Sequence, residues 1–155
     1  MIQISRMVDP REVVELVDLF PLPDQPAREL FAQQLVHVMA TRPETVLVLV
    51  ARSDKSGIIG FIVAELAVLD TVNLRQAWIH SAAPWQIGIQ LNDRVKLWAV
   101  GHGRSRIEVR TQRSSEALYR RYGFVEDAKI LVQTIPDDFT QRLLEAVSLE
   151  EVPNG

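Results

Sequence analysis

The sequence predicts an α/β fold with a central mixed, mostly antiparallel sheet and helices on both faces. Three apolar strands, at 45–52, 58–69 and 74–81, follow one another with only short connections, as in an antiparallel meander. A helix at 85–100 and a strand at 106–111 come next, and such a crossover usually joins parallel neighbours. We therefore expect six or seven strands, in which the strands at 74–81 and 106–111 are parallel and splayed apart at one end.

The first part of the chain is predicted to form a short strand at 2–8 and then two helices. Asp9 stands where a helix cap is expected, with a proline directly after it and apolar residues at helical spacing beyond. The proline-rich segment 21–26 ends this helix, and the second helix is predicted at 27–41. The strand at 45–52 is a continuous β-branched and leucine run, which is typical of a strand covered on both faces.

The second part of the chain alternates helices and strands. Gly101 ends the helix of the crossover, and Gly123 ends a short arginine-rich helix. Four elements are predicted after that crossover helix: a strand at 106–111, a helix at 114–124, a strand at 128–135 and a helix at 137–151. Because no repeat, linker or low-complexity segment interrupts the chain, we expect a single domain over 1–155.

The composition excludes several classes of function. The chain has 155 residues, 47% of them hydrophobic and 24% charged, which is ordinary for a globular protein. It has no cysteine, which excludes disulfides and a catalytic thiol, and its three histidines are scattered, so we expect no metal site. With 17 basic and 20 acidic residues, it shows no basic character that would suggest a nucleic-acid partner.

The hydropathy pattern predicts a cytoplasmic protein without a membrane partner. The N-terminus lacks the apolar core of a signal peptide. The longest apolar stretch, at 58–69, is too short to span a bilayer and contains Glu65. Whether the chain forms a homodimer stays open at this point.

The element order, together with the string TQRSSEALYRRYGF at 111–124, resembles the GCN5-related N-acetyltransferase (GNAT) superfamily. The resemblance is good over about 45–135 and fair over the first strand and two helices. It implies the GNAT fold, acetyl-CoA as co-substrate without a metal, and direct acetyl transfer to a small-molecule or peptide amine. Members of the family commonly have asparagine seven residues before the tyrosine of this string, where this chain has Gln112.

The resemblance also implies a role for Tyr119, the tyrosine of that string. In the family, a tyrosine at this position often lies near the sulfur of CoA and can give a proton to the departing thiolate. A phenol suits this task because it is a hydrogen-bond donor that stays protonated at neutral pH. The alternative is a core tyrosine that packs beside Leu118 and Tyr122.

The family's pyrophosphate-binding string is altered in this chain. An Arg/Gln-x-x-Gly-x-Gly/Ala string is usual at the start of the crossover helix, where backbone N–H groups hold the phosphates. This chain has SAAPWQIGIQL at 81–91, so one small residue of the string is replaced in either register. A side chain there crowds the phosphate, so we expect weaker CoA binding. The alternative interpretation of Trp85 is a simple helix start after Pro84. The expected cofactor-binding residues are Ile79, Ser81, Trp85, Gln86, Ile87, Gly88, Ile89, Gln90, Gln112 and Ser115.

Two residues are candidates for the base that takes a proton from the amine. Glu65 interrupts a strongly apolar strand, although a solvent-facing position at the strand end explains it as well. His80 closes the strand at 74–81 and is the alternative base, or equally a capping histidine.

Three functions are compatible with these residues. The first is an acetyl-CoA-dependent N-acetyltransferase. The second is a catalytically degenerate GNAT-fold binding or assembly module that does not bind CoA, and its support is the altered phosphate string. The third is an unrelated α/β domain in which LYRRYGF occurs by chance.

Overall fold

The computed structural model describes residues 1–110, 117, 119–126, 133 and 136–150. The predicted strand at 128–135, apart from Gln133, and the candidate residues Gln112 and Ser115 lie outside the described residues. The chain divides into two compact units, Met1–Phe124 and Val125–Gly155, and each is described by itself. The expectation of a single domain stays a prediction.

The elements of the first unit follow the predicted order. They are β1 (Ile2–Arg6), a 3₁₀ helix (Pro10–Leu19), α1 (Gln25–Thr41), a 3₁₀ turn (Pro43–Thr45), β2 (Val46–Ser53), β3 (Gly57–Leu66), β4 (Thr71–Ile79), α2 (Gln86–Gly101) and β5 (Arg106–Val109). In the second unit, α3 spans Phe139–Glu150. No helix among the described residues has both the length and the apolar character that crossing a membrane requires.

The sheet of the first unit has the order β1-β2-β3-β4-β5. The pairs from β1 to β4 are antiparallel, and β4 and β5 are parallel. The predicted mixed, mostly antiparallel sheet with one parallel pair is therefore confirmed. The described part of the chain contributes five strands to it, fewer than the six or seven expected.

A β-bulge lies in β4 where its pairing with β5 ends. Val63 pairs with Gln76 and Ala64 with Leu74, so Arg75 is the extra residue of the bulge. The parallel pairing stops at Leu74, one residue before it. A bulge can terminate pairing, and β5 ends at Val109, the partner of Leu74. The expected splaying of the two strands stays a prediction.

Both faces of the sheet are buried. Val48 and Val50 of β2 belong to a core with the 3₁₀ helix and α1, whereas Leu47 and Leu49 belong to a second core with α2. Alternate residues of a strand point to opposite faces, so an unbroken apolar run fills both cores. The prediction of a strand covered on both faces is confirmed.

Several predicted bounds differ from the structure by a few residues, and two differences have a clear local cause. The helix after Asp9 is a 3₁₀ helix, whose three-residue period brings Val13 and Leu16 to the same buried face. Strand β4 was predicted at 74–81 but spans Thr71–Ile79. It ends earlier because His80 begins a turn, in which its backbone oxygen accepts a hydrogen bond from the Ala83 N–H at 2.9 Å.

Candidate active site

A small cavity lies next to the part of β4 that extends beyond its pairing with β5. Residues from β4, α2 and the segment 119–124 line it, together with residues of β3, and its volume is about 30 Å³. The contributors from β4 and α2 include Leu74, Ala77, Ile79, Gly88, Leu91 and Asn92. The segment 119–124 contributes Tyr119, Tyr122 and Phe124. Most of this lining is apolar, so the few polar groups in it are the candidates for chemistry.

Tyr119 lines this cavity with its phenol ring half-buried. The ring meets Phe124 edge-on, with 5.6 Å between the ring centroids. Its hydroxyl makes no hydrogen bond to any described residue. Burial, and secondarily the neighbouring Tyr122, raise the pKa of Tyr119 above its ordinary value of 10.0. The phenol therefore stays protonated at neutral pH and keeps its proton available to a ligand in the cavity.

The end of the helix that carries Tyr119 is fixed by backbone hydrogen bonds. The N–H groups of Tyr122 and Phe124 donate to the Tyr119 carbonyl at 3.0 and 3.1 Å. Gly123 has φ +93°, a conformation that only glycine adopts at low cost. The predicted glycine ending is confirmed, and it returns Phe124 to the core on the α2 side. The predicted anchor Leu118 lies outside the described residues.

Gly88 is where α2 contacts the Tyr122 side chain. A Cβ atom on Gly88 would overlap the Tyr122 hydroxyl oxygen and lie 2.7 Å from Ile79 Cδ1. A glycine inside a helix often marks such a close approach. In the structure Gly88 makes room for Tyr122, and its assignment to cofactor binding stays a prediction.

The N-terminus of α2 carries most of the other expected cofactor-binding residues. Trp85 precedes the helix in helical conformation, makes no side-chain cap hydrogen bond and is 59% exposed. Gln86 and Gln90 are exposed, whereas Ile87 is buried. A helix start without a side-chain cap leaves backbone N–H groups for an anion.

The remaining expected cofactor-binding residues lie at different depths. Ile79 is half-buried and reaches the cavity of Tyr119, and Ile89 is half-buried on α2. Ser81 is exposed in the loop after β4. The structure thus brings Ile79 and Gly88 together with Tyr119, and leaves Ser81 and Trp85 at the surface.

Glu65 lies on the other face of the sheet, in a pocket between α1 and the strands. Its Oε1 accepts a hydrogen bond from Arg75 Nη1 at 2.6 Å. Its other oxygen, Oε2, has no hydrogen bond to a described residue. The pocket has a volume of about 160 Å³, and its lining residues are Phe31, Gln34, Leu35, Val38, Val46, Val63, Glu65 and Arg75. Glu65 is thus a partly exposed carboxylate that is ion-paired through one oxygen, and among the described residues the other oxygen has no partner.

His80 is exposed directly after β4. Its Nδ1 accepts a hydrogen bond from the Ala82 N–H at 3.0 Å, and its ring meets Trp78 edge-on at 6.0 Å. With Nδ1 used as an acceptor, the neutral ring carries its proton on Nε2. His80 therefore stabilises the turn that leads into α2.

Comparison with known proteins rests on structure alone. No protein-family model and no curated protein match the sequence. A predicted acetyltransferase from Clostridium acetobutylicum, solved with acetyl-CoA, has a TM-score of 0.72 and 12% identity over 86% of this chain and 96% of that chain. AAC(6')-Iy, solved with the bisubstrate analogue CoA-S-monomethyl-acetylneamine, has a TM-score of 0.66 and 16% identity over 88% and 99% of the two chains. The ribosomal-protein-alanine N-acetyltransferase from Brucella melitensis has a TM-score of 0.64 and 14% identity over 88% of this chain and 100% of that chain.

The chain has the GNAT fold. The resemblance that the sequence showed is confirmed at the level of the fold. Because the sequence identities are only 12–16%, the comparison supports the fold and not an activity. In this GNAT-fold chain, Tyr119 and Glu65 lie on opposite faces of the sheet, Tyr119 packed against the core on the α2 side and Glu65 in the pocket on the α1 side.

Sequence reasoning missed Asn92 of this GNAT-fold chain. It lies one turn after Gly88 on α2, is 4% exposed and lines the cavity of Tyr119. The signal was present, because Asn92 is a polar residue among the apolar positions Ile87, Leu91 and Val95. Within the part of the chain that the structure describes, no three His, Asp or Glu side chains are grouped so that they could hold a metal ion.

Proposed function

We propose that the protein is an N-acetyltransferase that moves an acetyl group directly from acetyl-CoA to an amine. The observation that carries this proposal is the position of the Tyr119 hydroxyl. It is a protonated donor without a hydrogen-bond partner among the described residues, and it lines a cavity beside the part of β4 beyond its pairing with β5. The GNAT fold of the neighbours, one of them solved with acetyl-CoA, supports the same reaction.

The residues around the cavity fit an acetyl-CoA molecule in two ways. Beyond Leu74, β4 has no partner strand on the β5 side within the described residues, and we infer that an extended part of the ligand lies there. The start of α2 at Gln86 has no side-chain cap and suits a phosphate. Gln86, Gln90 and Trp85 crowd this start, so we expect weaker binding than two small residues would give. Acetyl-CoA supplies the thioester whose acetyl group is transferred.

Tyr119 holds the proton that the departing sulfur needs. When the amine nitrogen bonds to the acetyl carbon and the carbon–sulfur bond breaks, the electron pair of that bond stays on sulfur. The Tyr119 Oη can donate its proton to this thiolate, a general-acid contribution that typically amounts to about 10²–10⁴-fold in rate. Packing against Phe124 and the backbone hydrogen bonds of 122–124 keep the hydroxyl in place.

The pocket of Glu65 is our candidate for the amine site. A carboxylate with a free oxygen attracts an ammonium group, and the apolar side chains of α1 offer contact for the rest of the acceptor. Glu65 would receive the amine proton, directly or through water, with His80 as the alternative base. A small-molecule amine is favoured because AAC(6')-Iy was solved with an acetylneamine analogue.

The decisive experiment combines cofactor binding with turnover. Thermal unfolding is measured with acetyl-CoA, with CoA and without ligand, and only an acetyl-CoA-binding protein gains stability. Thiol release from acetyl-CoA is then followed over a panel of aminoglycosides, amino sugars and peptide N-termini. Gln90→Gly should tighten acetyl-CoA binding, because it removes a side chain from the phosphate approach.

One observation favours a second function, a binding module without CoA. The Tyr122 hydroxyl occupies the space above Gly88, where the family's phosphate string has its small residues. Under this alternative, the wild type shows no stabilisation at millimolar acetyl-CoA and Gln90→Gly changes nothing. That pair of results would replace the acetyltransferase proposal.

A further inference from the structure

Arg75 is the residue that the β-bulge adds to β4. Leu74 and Ala77, on either side of the bulge, both pack against the core on the α2 side. Two residues stand between them where a regular strand has one, and Arg75 is the extra residue. Its side chain lines the pocket on the α1 side, which Glu65 also lines. A bulge re-aims side chains in this way beside active sites, so the fold itself supplies the pocket with a guanidinium.

The Arg75 guanidinium keeps donors in reserve. Its Nη1 donates to Glu65 Oε1 at 2.6 Å, whereas its Nε and Nη2 have no hydrogen-bond partner among the described residues. Both side chains remain open to a ligand, since 48% of Arg75 and 33% of Glu65 are exposed. A guanidinium presents its N–H groups as a planar fork that matches the two oxygens of a carboxylate. The ion pair can therefore bind a ligand through the groups that it does not use internally.

The charges of the pair indicate what kind of ligand fits. Among the described residues, the charged side chains that line the pocket are Glu65 and Arg75, so their charges cancel. An amine with no other charge is attracted by the carboxylate and repelled by the guanidinium beside it. An amine with a neighbouring carboxylate, a zwitterion, has both charges matched when it lies head-to-tail against the pair. The pair therefore favours a zwitterion over a simple amine.

The size and lining of the pocket limit the rest of the ligand. Its volume is about 160 Å³, and a cavity of about 150 Å³ holds a benzene molecule. The apolar residues of the lining are Phe31, Leu35, Val38, Val46 and Val63. Such a pocket encloses one apolar side chain, with the charged groups of the ligand at Glu65 and Arg75. A multi-ring amino sugar exceeds this volume, and a peptide N-terminus lacks the neighbouring carboxylate.

We propose that Arg75 makes this pocket selective for free α-amino acids with an apolar side chain, by binding their carboxylate while Glu65 binds their ammonium group. The inference rests on the proposed function, which assigns the amine to the pocket of Glu65. It adds a specificity-determining residue and narrows the acceptor to one chemical class. Arg75 acts on the binding of the acceptor, whereas the proton of Tyr119 acts on turnover.

The test compares three acceptors that differ at the carboxylate: L-leucine, leucinamide, in which this group is neutral, and 3-methylbutylamine, in which it is absent. The wild type should acetylate leucine with a kcat/KM roughly tenfold above the other two, the effect of one partly exposed charge-assisted hydrogen bond. Arg75→Met should raise the KM for leucine by about the same factor. It should lower the KM for 3-methylbutylamine, because the repelling charge is gone. Arg75→Lys, which keeps the charge without the planar fork, should lie between the wild type and Arg75→Met.

Arg52→Met is the matched control, the same exchange in an ion pair with Glu15 that does not line the pocket. It should leave the KM for all three acceptors unchanged. Calorimetry with leucine alone, without acetyl-CoA, measures the pocket independently of turnover, and Arg75→Met should weaken this binding roughly tenfold. Methionine and phenylalanine, each with its amide, repeat the series, so that the result does not depend on one side chain.

Opposite shifts in the KM for leucine and for 3-methylbutylamine are the signature of selectivity, because a merely structural arginine would change both in the same direction. Equal kcat/KM for amino acids and their amides in the wild type, or no binding of any of the three amino acids, would overturn the inference. If amino acids bind through Arg75 but no amine is acetylated, the proposed function fails while the selectivity of the pocket stands.

Discussion

The two faces of the sheet are built differently. On the α1 side, aromatic rings pack in sequence: Phe20 meets Phe31 at 4.9 Å and Phe61 at 5.5 Å, and Phe61 stacks on Trp78 at 6.2 Å. On the α2 side, the core is mainly aliphatic, and Asn92 interrupts it. Both cores are buried, yet the unsatisfied polar atom of Asn92 occurs on the α2 side.

This difference suggests where the unsatisfied polar groups of the site are concentrated within one sheet. Large apolar rings bury much area and restrict one another's positions, which suits a core whose role is to stabilise the fold. The α2 side instead keeps features that reduce stability: a glycine inside α2 and an orphan acceptor on Asn92. Deviations of this kind concentrate at sites where a ligand completes the packing. The α2 side is therefore where we expect mutations to change activity more than folding.

Tyr119→Phe should have the largest effect. It removes one oxygen from the α2 side, so the fold should persist while turnover falls by about 10²–10⁴-fold. Steady-state kinetics should show the loss in kcat, with the affinity for acetyl-CoA little changed. A turnover within threefold of the wild type would make Tyr119 a core residue and remove the main functional difference between the faces.

The pH dependence checks the same residue. Burial raises the pKa of Tyr119 above 10.0, so its proton is bound in the folded protein at pH values where the unfolded chain has lost it. Its contribution to stability is therefore complete below pH 10.0 and is lost as the pH rises further, through the folded-state pKa. Thermal unfolding between pH 8 and 11 should show this loss, and Tyr119→Phe should reduce it.

Leu16→Ala and Leu91→Ala form a matched pair, one on each face. Both leucines are essentially inaccessible, at 0% and 1% exposure. Each change should lower the free energy of unfolding by about 2–5 kcal/mol, seen as a lower urea midpoint. Only Leu91→Ala should also weaken acetyl-CoA binding, because Leu91 lines the cavity. Equal affinities of the two variants for acetyl-CoA would mean that the two faces do not differ in their contribution to acetyl-CoA binding.

Glu65→Gln tests whether the α1 side takes part in catalysis through its pocket. Loss of the charge that attracts the ammonium group should raise the KM for the amine by roughly tenfold. Glu15→Gln is the control, because Glu15 forms a similar exposed ion pair with Arg52 at 2.9 Å outside the pocket. It should leave KM unchanged, and either change should alter stability by less than about 1 kcal/mol. A KM that rises equally in both variants would contradict a specific role for Glu65.

Gly88→Ala should have the smallest effect and measures the contact with Tyr122. The added methyl group collides with the Tyr122 side chain, whereas alanine favours the helix, so we expect a net loss of about 1 kcal/mol. In a Tyr122→Leu background, the same change should become stabilising. Thermal unfolding of the four proteins gives the coupling between the two positions. An identical effect in both backgrounds would show that Tyr122 does not explain the glycine.

Patterns within single elements were enough to predict most of the fold. The continuous apolar run of β2 required two covered faces, and Gly123 required a helix end with positive φ. The order of meander and crossover required one parallel pair in an otherwise antiparallel sheet. The 3₁₀ form of the first helix and the early end of β4 depend on neighbours, and local spacing did not reveal them.

The sequence by itself determined the element order, the sheet with its parallel pair and the resemblance around Tyr119. It could do so because strand and helix periods, turn residues and crossover handedness act over short distances along the chain. Only the tertiary structure decided that Gly88 accommodates Tyr122, that Glu65 pairs with Arg75, and that Asn92 faces a cavity without a partner. Gly88 and Tyr122 are 34 positions apart, and whether a polar atom is satisfied depends on every element packed around it. Neither the long-range contact nor the unsatisfied atom leaves a periodic pattern in the sequence.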